Sequence, residues 1–292
     1  MGILFGLATA LSWGSADFCA RFATRSIGTF RTMLYMQLTG LLLLTCVMHW
    51  LGWGHLADGS GPHAWAWGIG AGLLNTLGTL SLYRSFEIGK MSIVAPISAA
   101  YPALTMILSA ITGERLTGAR FAGIALIIAG VVAVARGEQP VEDANPLDDL
   151  RPGKKQLGVG WAMLSALAFG VMFWLLGTRV VPQLGAAPSV WLIRLMGVLA
   201  TALVMLGAKQ SMKLPPRSTS RWILGIGLLD TGAYILNNQG MLLEQISVVS
   251  VLASLYGAVT VGLAAAFLKE KVSRLQWLGI AAIFTGIVLI SR

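Results

Sequence analysis

Long apolar stretches joined by mostly short connections are the feature that most constrains how this chain can fold. Ten segments approach or exceed the roughly 20 residues that a helix needs to cross the hydrocarbon core of a bilayer. They cover approximately residues 2–22, 32–51, 65–86, 92–112, 118–136, 157–178, 187–207, 221–243, 247–268 and 274–291. Only 11% of the residues are charged, against about 25% in soluble domains. The sequence therefore predicts an all-α membrane protein with ten transmembrane helices.

The basic residues mark membrane topology, and we expect no nucleic-acid partner. The net charge is +9, but nearly all of the 21 Lys and Arg residues lie at the ends of predicted helices. That placement is typical of topology signals and of contact with the lipid bilayer. Sixteen of these residues follow odd-numbered spans and four lie on the opposite side. The positive-inside rule then predicts that both termini lie outside the cytoplasm.

A polar, proline-containing segment divides the chain into two halves of five spans each. We therefore predict a first five-helix repeat over 1–136, a linker over 137–156 and a second five-helix repeat over 157–292. A shift of about 156 residues aligns the two halves at many positions. The aligned pairs include Gly14 with Gly170, Gln37 with Arg194, Gly40 with Gly197, Tyr101 with Tyr256, Gly123 with Gly279 and Gly130 with Gly286.

An odd number of spans in each repeat makes the second repeat enter the membrane in the opposite sense. The sequence thus predicts inverted repeats, a symmetry that suits alternating access in a transporter. We expect a central site at the seam where the first, third, fourth, sixth, eighth and ninth spans meet. The alternative is that the duplication only builds a stable bundle.

Short motifs in a fixed order resemble the EamA-domain branch of the drug/metabolite transporter superfamily. They are Trp13-Gly14-Ser15, Tyr101-Pro102, Gly113-Glu114-Arg115-Leu116 and Lys269-Glu270-Lys271-Val272. The resemblance covers essentially the whole chain. It implies a ten-helix secondary carrier for small organic solutes with a central cavity and with both termini usually in the cytoplasm, which conflicts with the charge count. The family's arginine in the second span of each repeat is matched by Arg194, whereas Gln37 stands in the first half.

Ionisable residues inside a span are costly, so Asp17, Arg194 and Asp230 are candidates for the central cavity. Asp17 has Arg21 one turn away, and the alternative is a local ion pair between them. Asp230 lies about 13 Å into its helix at 1.5 Å per residue, and we predict it as a coupling-ion site. Arg194 has open roles: it neutralises Asp230 or Asp17, binds a substrate carboxylate, or extends towards the membrane surface.

Polar and aromatic side chains extend this predicted substrate site. Tyr234, Asn237 and Asn238 follow Asp230 by one and two helical turns, so they share a face with it; the alternative is hydrogen bonding that only holds the bundle together. Aromatic side chains beside an acid favour a cationic or amphipathic amine through cation–π attraction, although generic packing is equally compatible. The remaining candidates for the cavity wall are Trp13, Tyr83, Tyr101, Trp174 and Tyr256.

Helix-breaking residues occur at corresponding places in the two repeats. Pro96 and Pro102 interrupt the fourth span, and Gly257 stands in the ninth span where the fourth has Pro102. Breaks of this kind are typical of carrier sites, so we predict hinges at these three positions, with a purely architectural kink as the alternative.

No motif indicates catalysis, a metal or a cofactor, so we expect a protein that is not an enzyme. His49, His55 and His63 surround one loop, which we interpret as solvated. The predicted function is alternating-access transport of a small organic metabolite, an amine, an amino acid or a related amphipathic solute, coupled to protons or another cation or running by exchange. The alternative is a non-transporting membrane scaffold or lipid-interacting protein. We expect a multi-pass monomer or homodimer in the plasma membrane, or in the inner membrane of a Gram-negative bacterium.

Overall fold

The computed structural model describes residues 1–53, 62–112, 117–136, 154–243, 246–269 and 272–290. All regular elements in these residues are helices, which confirms the all-α class. The first half contains α1 (Gly2–Ile27), α2 (Thr29–Leu51), α3 (Pro62–Ile88), α4 (Met91–Ser98), α5 (Pro102–Ile111) and α6 (Gly118–Arg136). The predicted motifs around Glu114 and Glu270, and most of the predicted linker, lie outside the described residues.

The second half repeats this order of elements. Its helices are α7 (Lys154–Leu175), α8 (Val181–Leu184), α9 (Ala186–Gly207), α10 (Arg217–Leu243), α11 (Ile246–Ser254), α12 (Tyr256–Leu263) and α13 (Arg274–Ile290). A π-helical turn over Leu176–Val180 joins α7 to α8, and a second one over Ala264–Leu268 extends α12. Helices therefore occupy all ten of the predicted intervals.

Five stretches are long and apolar enough by themselves to cross a membrane. They are Thr29–Trp50, Met91–Ile111, Gly158–Leu184, Ala186–Gly207 and Val249–Leu268. Helices α6 and α13 contain apolar stretches that are shorter. Helices α1, α3 and α10 are long but contain several buried polar residues. The count of ten spans stays a prediction for these other five.

The fourth and ninth segments are each broken near their middle. Helix α4 ends at Ser98 and α5 begins at Pro102, whose ring removes a backbone donor and disfavours the helical conformation in the residue before it. Helices α11 and α12 are separated only by Leu255. The two breaks face each other, because a Cβ on Gly257 would lie 2.7 Å from the Ala99 Cβ.

The helix pairs follow the symmetry of the two repeats: replacing each helix by its counterpart in the other repeat gives the same set of pairs. Helix α1 packs on α10 as its counterpart α7 packs on α3, while α2 packs on α9 and α6 on α13. In the α6–α13 pair, a Cβ on Gly130 would lie 2.6 Å from the Gly279 carbonyl oxygen, and one on Gly286 would lie 2.6 Å from the Gly123 oxygen. These four glycines show that α6 and α13 run antiparallel with their backbones in contact. The fold is a two-repeat architecture.

Candidate functional site

A cavity lies at the seam between the two halves and contains about 390 Å³ of empty space, part of it open to the outside. Its lining residues are Trp13, Asp17, Thr79, Leu82, Tyr83, Tyr101, Phe169, Phe173, Asp230, Tyr234 and Tyr256. They come from α1, α3, the α4–α5 break, α7, α10 and the start of α12. These are the six segments that the sequence predicts at the seam.

Aromatic rings form most of the cavity wall, and Trp13 and Phe173 make most of the contacts between them. The Trp13 ring is 5.0 Å from the Tyr234 ring and 6.1 Å from the Tyr256 ring, both edge-to-face, and 5.6 Å from Phe173. Phe173 in turn stacks on Tyr101 at 4.6 Å. The rings thus come from both halves and hold one another in place.

Asp17 is a buried carboxylate, and its Oδ2 accepts no hydrogen bond from the described residues. The sequence left open a local ion pair between Asp17 and Arg21. The hydrogen bonds of Arg21 are instead directed to the end of α3. Arg21 Nη1 donates to the carbonyl oxygens of Phe86 at 3.1 Å and Gly89 at 2.9 Å, at the end of α3. The guanidinium therefore holds α1 against the end of α3, where helix carbonyls lack partners within the helix.

Asp230 faces the cavity and is neutralised from behind by Arg194. The Arg194 Nη2 donates to Asp230 Oδ2 at 2.6 Å, and Arg194 is fully buried while the Asp230 side chain is 16% exposed. The other terminal nitrogen donates to Gln37 Oε1 at 2.6 Å. The guanidinium carbon also lies 5.1 Å from the centre of the Tyr234 ring. The sequence left several roles open for Arg194, and the structure shows one of them, the neutralisation of Asp230.

The tyrosine hydroxyls of the cavity differ in their hydrogen bonding. Tyr234 donates to Asn75 Oδ1 at 2.6 Å, and Tyr101 donates to the Ser250 carbonyl oxygen at 3.2 Å. Tyr256, the repeat counterpart of Tyr101, has a buried hydroxyl without a hydrogen-bond partner among the described residues. The site is therefore asymmetric although the fold is nearly symmetric.

Four predicted site residues do not line this cavity: Arg194, which is paired with Asp230, and Trp174, Asn237 and Asn238. Trp174 donates to Thr112 Oγ1 at 3.4 Å and is not among the residues that line the cavity. Asn237 and Asn238 are buried between helices, where Asn238 Nδ2 donates to the Ala186 carbonyl oxygen at 3.4 Å. The Asn238 contact matches the alternative of hydrogen bonds that connect helices, whereas Asn237 donates to Asn238 and Met241 within α10.

Sequence reasoning missed Thr79, Leu82, Phe169 and Phe173. The internal repeat could have predicted two of these residues. With the shift of 156 residues, Phe169 is the counterpart of Trp13, and Phe173 is the counterpart of Asp17. Applying the repeat symmetry to each predicted residue would have found both. The described residues contain no group of three or more His, Cys, Asp or Glu side chains arranged to hold a metal ion.

Two helical repeats around a central cavity define a class of membrane transport proteins. The chain belongs to the EamA-like transporter family, whose model matches residues 1–136 and 156–292. The predicted resemblance is thereby confirmed, and the protein is an integral multi-pass membrane transporter.

Two further comparisons concern the repeat and the fold. An uncharacterized protein of Methanocaldococcus jannaschii is 29% identical over 134 residues, which make up 46% of this chain and 95% of the archaeal protein. That relative thus has about the length of one repeat. A protein known from a crystal structure superposes with a TM-score of 0.70 over 99% of this chain and 95% of its own, at 17% identity. At that identity the likeness shows the fold alone.

Proposed function

We propose that this protein is a secondary transporter that moves a small organic metabolite across the plasma membrane by alternating access. The observation that carries the proposal is the cavity between the two halves, with both helix breaks in its wall. Tyr101 stands at the first break and Tyr256 directly after the second. The substrate is an amine, an amino acid or a related amphipathic solute, because the wall combines aromatic rings with two carboxylates.

Equivalent contacts in the two repeats support alternating access. Thr105 Oγ1 donates to the Gly170 carbonyl oxygen at 3.0 Å, and its counterpart Thr260 donates to the Gly14 oxygen at 3.4 Å. If each half can adopt the conformation of the other, the inward-open and outward-open states have similar free energies. Rocking about the breaks would then expose the cavity to each side in turn, with hinges at Pro96, Pro102 and Gly257.

Coupling to an ion gradient, or exchange, would drive uphill transport. Asp230 is the candidate for the coupling proton or cation, since it faces the cavity, where an ion would compete with Arg194 for the carboxylate. Uptake of a proton by Asp230 would weaken the pair and leave the guanidinium without its carboxylate partner. Ion binding at Asp230 would thereby change the packing of α9 against α10.

Counterflow into proteoliposomes tests the transport proposal. Vesicles preloaded with an unlabelled amine or amino acid should accumulate the labelled solute with saturable kinetics. Gly257→Val should abolish accumulation, because a Cβ at Gly257 already meets Ala99 at 2.7 Å, whereas Gly262→Val in the same helix faces open space and serves as the control. Absence of saturable counterflow for every solute tested, together with a stable partner in gentle purification, would instead favour a scaffold.

A further inference from the structure

The charges around the cavity do not balance, and the imbalance specifies a ligand. Asp230 is paired with Arg194, so these two residues together contribute no net charge. Asp17 keeps its carboxylate in the wall with Oδ2 buried and unpartnered. Resting on the proposed transport function, we propose that the cavity is a site for an organic monocation, whose ammonium group is held by Asp17.

The cost of burying Asp17 is the first step of the argument. Asp17 is 6% exposed, and a carboxylate removed from water is strongly destabilising unless a donor or a cation compensates it. The arginine one turn away, Arg21, is held at the carbonyl oxygens of Phe86 and Gly89. A cation bound in the cavity would supply the compensating charge.

The polarity of the remaining wall selects against amino acids. Among the described residues that line the cavity, none is Lys, Arg or His. Arg194 lies behind Asp230, and both of its terminal nitrogens already donate, to Asp230 and to Gln37. The carboxylate of a zwitterion would thus enter a wall that offers two carboxylates and no free cation. A cation without an acidic group is the complementary ligand.

Aromatic faces and one hydroxyl complete the site around the ammonium position. Trp13 precedes Asp17 by four residues on α1, so the indole and the carboxylate share a helix face. The Tyr256 ring stands edge-to-face to Trp13 at 6.1 Å, and its hydroxyl oxygen is buried and free to accept. An ammonium group between them can donate to Asp17 and Tyr256 while its charge meets the indole face. The apolar body of the ligand then contacts Phe169 and Phe173.

A ligand series with a common apolar body tests the charge requirement in the unmodified protein. Thermal shift and calorimetry in lipid nanodiscs would compare 2-phenylethylamine with 2-phenylethanol, phenylalanine and 3-phenylpropionate. The amine should stabilise the protein and bind at least about tenfold more tightly than the other three, since a hydrogen bond to a charged group contributes this much or more. Equal or tighter binding of phenylalanine or of the alcohol would overturn the proposal.

Substitutions in the cavity wall test whether Asp17 is the residue that binds the ammonium group. Asp17→Asn should weaken amine binding on the order of 10- to 100-fold, and it should also raise the unfolding temperature of the unliganded protein, which a merely structural carboxylate would not do. Tyr256→Phe should weaken binding severalfold. The matched controls are Glu87→Gln and Tyr35→Phe. Glu87 pairs with Arg84 outside the cavity, and the Tyr35 hydroxyl donates to the Met212 carbonyl oxygen. Unchanged amine affinity in Asp17→Asn would refute the assignment.

The two proposals fail in different ways. Saturable counterflow of a zwitterionic amino acid that persists in Asp17→Asn would leave the transport function standing and remove the monocation site. Tight binding of the amine without counterflow of any solute would leave the site standing and remove the transport function.

Discussion

Arg194 and Gln37 occupy equivalent positions in the two repeats, and a 2.6 Å hydrogen bond from Arg194 Nη1 to Gln37 Oε1 joins them where α9 packs on α2. Both residues are fully buried. Small neighbours make room for them, since a Cβ on Gly40 would lie 3.0 Å from Arg194 Nε and one on Gly197 would lie 2.7 Å from Gln37. Two guanidinium groups at this distance would repel each other. An arginine in one repeat and an amide in the other avoid the repulsion in this protein, so the duplication is not exact here.

Replacing Gln37 by Leu should destabilise the protein by about 1–2 kcal/mol, because it leaves a buried charged donor without its acceptor. The measurement is the free energy of unfolding in mixed micelles. Gln210→Leu makes the same chemical change at an exposed position and should have little effect. An equal loss in both variants would contradict the prediction.

Replacing one partner of the Arg194–Asp230 ion pair should lower the free energy of unfolding by more than replacing both partners. Asp230→Asn leaves a fully buried guanidinium without its carboxylate, which we expect to cost about 3–5 kcal/mol. Arg194→Met should cost less, since the Asp230 side chain retains 16% exposure. The double variant should unfold at a higher denaturant concentration than Asp230→Asn alone, and a double-mutant cycle gives the coupling energy. Strict additivity of the two single losses would show that the charges do not interact.

Close packing of α6 on α13 makes a specific prediction for glycine substitutions. Gly279→Ala places a methyl group 2.7 Å from the Gly130 carbonyl oxygen, so the helices must separate at a cost of about 1–3 kcal/mol. Gly225→Ala in α10 meets nothing within 4 Å and should be neutral or stabilising by up to about 1 kcal/mol. Unfolding curves of the two variants test this, and a neutral Gly279→Ala would mean that the contact is looser than described.

The excess of basic residues after odd-numbered spans predicts that both termini lie outside the cytoplasm. A phosphatase fused after Arg292 should then be active, and a fluorescent protein fused at the same point should be dark. The opposite pattern would show that the family's usual orientation overrides the charge bias.

Patterns within single helices were enough to predict most of the fold. Apolar length located the ten helices, and the repeat matched positions that do meet in space, such as Gly130 with Gly279 and Gln37 with Arg194. The broken fourth segment followed from Pro102, whose ring excludes a regular helix. These features depend on local backbone chemistry and on the periodicity of side chains, which a sequence displays directly.

The composition of the site could not be predicted in full, because it depends on which faces of separate helices contact one another. The sequence by itself indicated that Asp17 and Asp230 are ionisable residues inside predicted membrane spans. Only the tertiary structure decided that Arg194 neutralises Asp230 and that Arg21 turns to the end of α3. It also decided that Asp17 faces the cavity with no hydrogen-bond partner for Oδ2 among the described residues. The physical reason is that a charge in a bilayer must be compensated, whereas the choice of partner depends on distances between residues far apart in sequence.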